Sequence, residues 1–210
     1  IHVRDCYKAL VPHLEELKEE HCSDSYYEAR LRFNSGFMVP QVRAAHFIYL
    51  NKTCFNGLYR VNSDGDFNSP FGCYKNPTIC DEPMLRAVSE TLKRTKAKIS
   101  YLDFGVTMKE ADEGDFIYMD PPYVPLSETE NFTAYDAEGF ALKEHERLAA
   151  AFRSADKRGV LLMATNHDTP LVRRLYAGFK FTAAQVQRSI NSDASARKAG
   201  APELIIRNYE

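Results

Sequence analysis

Two apolar runs of strand length, DFIYM at 115–119 and GVLLMATN at 159–166, bracket a stretch of helical periodicity, GFALKEHERLAAAFRSADKRG. Runs that stay apolar on consecutive residues are buried on both faces, as strands of a parallel sheet are. Strand, helix and strand in that order predict a right-handed crossover with helices laid over the sheet. Gly159 suits the cap that closes the helix.

The rest of the chain fits around this unit. Ile1 to Val3 reads as a strand remnant ending at Asp5. Helical spacing follows in KALVPHLEELKEE, with Leu10, Leu14 and Leu17 on one face and Pro12 early enough to be tolerated. VRAAHFIYLNKTCF reads as a buried helix, and LYRVNSDGDFN as two short strands around the turn Ser63-Asp64-Gly65. MLRAVSETLKRTK is an amphipathic helix and ISYLDF a short strand. An α/β pattern is thus interrupted by a mainly helical segment, and 210 residues are enough for one sizeable core with an insertion.

Several functional classes drop out. No apolar run approaches the roughly 20 residues that span a bilayer, and IHVRDCYKAL is not a secretory signal. The five cysteines are scattered and never form C-x-x-C, which argues for reduced thiols and against both a disulfide framework and a zinc site. A cytoplasmic protein with no metal is expected. The net charge of −2 hides an uneven distribution. From Ala29 to Ser63 there are five Lys or Arg and no Asp or Glu, interleaved with Phe33, Phe37, Phe47, Tyr49, Phe55 and Tyr59. Such a stretch can face phosphates and bases, or it can be a partly buried helix whose cations reach solvent.

Asp120 sits where ligands bind in open parallel sheets, at the carboxyl end of a strand. Pro121 and Pro122 stiffen the turn and remove two N–H groups, which leaves carbonyls to face a pocket. Tyr123 adds a flat face with a polar tip. Together they suit a planar group bearing NH₂: Asp120 and a proline carbonyl take its two hydrogens and Tyr123 stacks on its plane. An amino group held in that way is pushed toward a pyramidal nitrogen whose lone pair can attack. The competing reading is an Asp-capped turn beside a core tyrosine.

The order D-P-P-Y after a hydrophobic strand resembles the catalytic motif of amino-group methyltransferases that use S-adenosylmethionine. LNKTCFNGLYRVNSDGDFNSPFG is similar to the DNA-contacting helix-and-hairpin segment of the Dam-type (D12 class) DNA adenine-N6 methyltransferases of bacteria and phages. PLSETENFTAY, TNHDTP and RSINSDASARK are similar to further segments of that family, so the likeness covers nearly the whole chain. The resemblance implies a class I methyltransferase fold: Rossmann-like, with a mostly parallel sheet in three αβα layers, and a mainly helical DNA-recognition insertion carrying a β-hairpin. It places the catalytic domain at 1–12 and 86–210 and the recognition domain at 13–85, with the hairpin near 58–68.

The implied activity is methyl transfer from S-adenosylmethionine to N6 of an adenine swung out of double-stranded DNA, commonly within GATC. Asp120, Pro121, Pro122 and Tyr123 would form the catalytic pocket. Asp5, Asp103, Phe104 and Asp120 would hold the cofactor, with Asp5 on the ribose hydroxyls. On the DNA side, Arg60 would read a guanine edge and Phe55 would fill the stack near the vacated position. Asn56, Leu58, Asn62, Pro70 and Asn131 would complete that surface, with Phe132 helping to order the pocket. Taken alone, Phe55 could equally be a core aromatic, Arg60 could pair with Asp66, and Asp5 could be a helix N-cap. The protein is expected to act as a monomer.

The family's glycine-rich F-x-G-x-G turn and leading lysines have no counterpart here, and Cys73 stands where relatives can carry a basic residue. If Asp5 closes the second strand, the first strand lies outside this sequence. Two other activities follow as alternatives, a catalytically inactive DNA-binding relative and a methyltransferase for cytosine N4 or RNA.

Overall fold

The computed structural model describes residues 2–126, 140–186 and 201–210. Packing divides the chain into two units, Ile1–Ser100 and Tyr101–Glu210.

The first unit is helical: α1 (His2–Glu19), α2 (Ser23–Asn34), α3 (Pro40–Thr53) and α4 (Glu82–Arg94). Leu10, Leu14, Tyr26, Phe33, Ala45, Tyr49, Leu50, Phe67 and Ile79 form its core. α3 starts with Pro40 in its first turn, where the missing N–H costs nothing. α4 starts at Asp81, whose side chain accepts from the Met84 amide.

The strand expected at Ile1 to Val3 is not present, because α1 already begins at His2. Val3 lies one helical stripe ahead of Leu10, Leu14 and Leu17 and packs on the same core, so the helical period wins over a run too short to pair. The backbone departs from helical geometry at Cys6 (φ −145°, ψ 41°), which kinks α1 just after Asp5.

The segment expected as the strand ISYLDF is also irregular. It has no ladder partner among the described residues, and Tyr101 and Leu102 are exposed. Its last two residues instead start α5 (Phe104–Lys109), with Asp103 as the N-cap accepting from Gly105 N at 2.9 Å.

The second unit carries the sheet. After α5 come β1 (Phe116–Met119), α6 (Leu142–Asp156), β2 (Leu161–His167), α7 (Pro170–Leu175), β3 (Lys180–Val186) and β4 (Ala201–Arg207). The order is β1-β2-β4-β3. β1 and β2 are parallel and joined through α6, with Phe116 opposite Leu161 and Met119 opposite Ala164; the expected burial on both faces is not found, since Phe116 and Tyr118 of β1 and Leu161 of β2 are exposed. β4 is antiparallel to both β2 and β3, so parallel pairing among the described strands is confined to β1–β2.

α6 presents His145, Leu148, Ala149, Phe152 and Ala155 on one buried stripe. Leu148, Ala149, Phe152 and Ala155 pack with Met119, Leu162, Ala164, Leu204 and Ile206 from the strands. The chain leaves α6 through Gly159 at φ +80°, a conformation other residues adopt only with strain. No helix among the described residues is long and apolar enough to cross a membrane.

Candidate functional site

Parallel pairing in register makes β1 and β2 end together. Met119 is buried on the core face, so Tyr118 and Asp120 point to the opposite, exposed face. There Thr165 Oγ1 donates to Asp120 Oδ1 at 2.9 Å, and the Tyr118 hydroxyl lies 3.3 Å from the same Thr165 oxygen. Asp120 is exposed and keeps a second carboxylate oxygen for another donor.

The elbow that follows is braced by the next two residues of β2. Buried Asn166 accepts from the Val124 amide at 2.9 Å through Oδ1, which also accepts from the His167 amide at 2.9 Å. His167 Nδ1 lies 2.6 Å from the Val124 carbonyl. A carbonyl can only accept, so Nδ1 carries the proton. Tyr123 packs edge-on to the His167 ring, with centroids 5.1 Å apart at 81°, and its hydroxyl donates to Glu203 Oε2 at 3.4 Å. Burial, above all, raises the Tyr123 pKa, so the ring stays neutral with its hydroxyl a donor. Tyr123 and Val124 therefore stand on a shelf made by Asn166, His167 and Glu203.

A second cluster surrounds Asp103. Arg147 of α6 grips both carboxylate oxygens, Nη1 to Oδ1 at 2.8 Å and Nη2 to Oδ2 at 2.7 Å. The Arg147 hydrogen bonds, as the largest cause, hold the Asp103 carboxyl down at about 2. Arg147 Nε also donates to Glu144 Oε2 at 3.0 Å, and its guanidinium lies 3.9 Å from the centre of the Phe104 ring. Asp5 sits in the first turn of α1, not at a strand end, and its carboxylate is paired with Arg4 at 2.7 Å.

In the helical unit, α3 runs into a tight 3-10 turn, Phe55–Gly57. Asn56 adopts φ 53°, and Asn51 Nδ2 holds the Gly57 carbonyl at 3.0 Å. Phe55 is 52 % exposed and is not a core aromatic. The two short strands expected around Ser63-Asp64-Gly65 are not formed: the segment is a loop whose arms meet at the isolated bridges Val61 to Phe67 and, outside 58–68, Cys54 to Phe71. Arg60 pairs with Asn68 rather than Asp66: Nε donates to Asn68 Oδ1 at 2.7 Å and Nη2 to Asn68 O at 3.1 Å. Asn62 shapes the tip, its Oδ1 accepting from the amides of Asp64 and Asp66 at 3.1 and 2.8 Å. Exposed Pro70 offers its carbonyl to the Phe55 amide at 2.9 Å, and Leu58 is half-buried at the base. Asn131 and Phe132 lie outside the described residues.

The structure thus sets Asp120, Pro121, Pro122 and Tyr123 in one turn beside the end of β2, Asp103 and Phe104 under one arginine, and Phe55 to Pro70 in one loop. Reading residue types alone misses Thr165, Asn166, His167, Glu203 and Arg147. The signal available for the first three was their place at the end of the strand next to β1.

Comparison with known proteins identifies the family. A family model for the D12 class N6 adenine-specific DNA methyltransferases matches residues 2–190. The type II methyltransferase M1.LlaDCHI of Lactococcus lactis subsp. cremoris is 38% identical over 215 residues, covering 98% of this chain and 75% of that protein. The type II methyltransferase M.MjaIII of Methanocaldococcus jannaschii is 41% identical over 221 residues, covering 97% of this chain and 76% of that protein. The DNA adenine methylase of Escherichia coli K12 is 38% identical over 180 residues, covering 86% of this chain and 63% of that protein. The chain belongs to the D12 class of N6 adenine-specific DNA methyltransferases, which move a methyl group from S-adenosylmethionine to adenine in double-stranded DNA.

Proposed function

We propose that the target adenine is received at the elbow Asp120–Tyr123, that Arg60 and Phe55 lie on the surface that selects it, and that the methylated sequence is GATC. Residues 13–85 carry target recognition in this reading, and 1–12 with 86–210 carry catalysis. The enzyme acts as a cytoplasmic monomer.

The observation that supports the elbow as the pocket is the Asp120 carboxylate. It is exposed at the carboxyl end of β1, fixed through one oxygen by Thr165, and open to a donor through the other. Asp120 accepts one hydrogen of the adenine N6 group and a proline carbonyl of the elbow accepts the second. Tyr123, supported from the side by His167, stacks on the base. Both N6 hydrogens are then held in the direction that frees the nitrogen lone pair, which is where charge develops during transfer. S-adenosylmethionine, when bound, supplies an electrophilic methyl on a sulfonium. The methyl–sulfur bond would break as the N6–carbon bond forms, leaving a neutral thioether, and the cationic N6 would then lose its proton, past the Asp120 carboxylate that holds it, to water.

The groups proposed for the cofactor fit its purine in kind: a carboxylate that can accept from an amino group and an aromatic ring beside it. Asp103 and Phe104 are both held by Arg147 in this structure, so their part in cofactor binding runs through that side chain. Asp5 would serve the ribose hydroxyls, and its carboxylate is paired with Arg4 here.

Loss of the Asp120 carboxylate is the direct test. Asp120→Ala keeps duplex affinity in a gel-shift assay and removes incorporation of tritiated methyl into DNA. Turnover unchanged from the wild type would end the assignment.

A further inference from the structure

The loop that carries Arg60 pairs its arms over a short stretch and forms no strand among the described residues. The arms meet at the isolated bridges Cys54–Phe71 and Val61–Phe67 and through the backbone bonds from Asn62 N to Asp66 O, Asn68 N to Arg60 O and Phe55 N to Pro70 O. Strand pairs with so little ladder slip register easily, and a slip of one residue sends every side chain to the opposite face. One such slip would turn Asn68 away from Arg60.

The returning arm is also bound by one face of α2. Asn34, Arg30 and Tyr26 are spaced four residues apart and so lie on one stripe. The Asn34 amide makes two bonds to a single residue: Nδ2 donates to Phe67 O at 3.0 Å and Oδ1 accepts from Phe67 N at 3.0 Å. It thereby supplies both bonds a neighbouring strand would give at that position. Arg30 Nη1 donates to the Ser69 carbonyl at 3.1 Å, and the hydroxyl of fully buried Tyr26 donates to the same carbonyl at 2.9 Å. Ser69 Oγ in turn donates to the Leu58 carbonyl, and Asn68, between the two anchored residues, holds Arg60.

We propose that Asn34, with Tyr26 and Arg30, is a positioning element for site selection: α2 locks the register of the returning arm, which fixes Asn68 and so the direction of Arg60. These side chains reach no base themselves. Their effect passes through 67–69. The inference rests on Arg60 being the residue that reads a base pair.

The test maps methylated adenines at single-base resolution on unmethylated plasmid DNA treated with the full-length enzyme, comparing Arg60→Ala, Asn34→Ala, Asn34→Asp and Tyr26→Phe. Arg60→Ala relaxes the recognised sequence at one base pair. Asn34→Ala relaxes the same base pair, with the preference for the correct base falling roughly tenfold, the scale of one lost bidentate base contact. Asn34→Asp keeps the acceptor for Phe67 N but sets a carboxylate against Phe67 O, and gives the same change even if Asn34→Ala folds poorly. Tyr26→Phe removes one hydroxyl without changing packing and relaxes the site less. A purely structural role would instead slow methylation equally at every site, and that outcome for both Asn34 variants overturns the inference while Arg60 stands. Unchanged site choice in Arg60→Ala overturns the reading of Arg60 and the inference together.

Discussion

Thr165 Oγ1 donates a 2.9 Å hydrogen bond to Asp120 Oδ1, one residue beyond the last paired position of β1 and β2. A strand-end hydroxyl thus fixes the carboxylate proposed to grip the base, and it does so from a residue β4 holds through the Thr165–Ile205 pair. Thr165→Val keeps the shape and removes the donor. Single-turnover methyl transfer then falls about tenfold, the effect of losing one hydrogen bond to a charged group at the low end of its range. Duplex affinity stays as it was, and Thr165→Ser restores the rate. An unchanged rate in Thr165→Val would mean that Asp120 is oriented by something else.

Asn166 has a different task, since its Oδ1 serves two backbone amides, Val124 and His167, inside the protein. Asn166→Ala leaves both donors without that acceptor. Each such buried group costs about 1–3 kcal/mol. Urea unfolding at neutral pH is expected to show a loss in that range or above, with a stability near the wild type refuting the shelf.

Some of this was readable from residues in order, and the exceptions have physical causes. DFIYM and GVLLMATN announce paired strands through the consecutive apolar residues 116–119 and 160–164, and VRAAHFIYLNKTCF announces the buried helix α3. Residues 1–3 are too few to show a period, so Val3 looks like a strand until Leu10 and Leu14 supply the helical frame. ISYLDF has strand composition, yet strand preference is mostly a matter of neighbours, and none pairs with it among the described residues. The elbow was legible because four residues carry it. The bond from Thr165 to Asp120 was not, since it depends on the register of two strands separated by α6. Arg147 on Asp103 is a contact 44 residues away that no local pattern encodes.

Arg147 deserves its own test because it touches both residues proposed for the cofactor's purine. Arg147→Ala releases the Asp103 carboxylate and uncovers Phe104. Exposed ion pairs are worth little, so the expected change is about a two- to fivefold rise in the KM for S-adenosylmethionine with kcat nearly constant. Arg147→Lys keeps a charge but cannot span both oxygens, and recovers only part of the loss. A fall in kcat at unchanged KM would place the cluster elsewhere in the reaction.

Gly72 marks the base of the recognition loop. A Cβ there would meet the carbonyl oxygens of Thr53 and Cys54 at 2.8 Å each, and backbone cannot step aside as a side-chain tip can. Gly72→Ala forces that junction apart, costs about 1–3 kcal/mol, and shifts Phe55, whose amide is tied to Pro70. Duplex affinity falls in parallel. Neighbouring Cys73 is exposed, and Cys73→Ala changes stability by less than about 0.5 kcal/mol. Equal melting temperatures for the two variants would contradict the close approach.

His145 gives the fold a pH dependence of known sign. It is buried on α6 with the Phe140 ring edge-on at 4.8 Å, and burial lowers its pKa to about 4 from the ordinary 6.5. The unfolded chain therefore binds the proton first as pH falls. Stability is full above the ordinary value, declines between about pH 6.5 and pH 4, and stops declining on this account once the folded form also takes the proton. The difference corresponds to about 3 kcal/mol at most. His145→Leu removes the titrating group, so the change in urea midpoint between pH 7.5 and pH 4.5 should shrink by that share, whatever the variant does to stability at pH 7.5. An undiminished pH dependence in His145→Leu would show that other groups drive it.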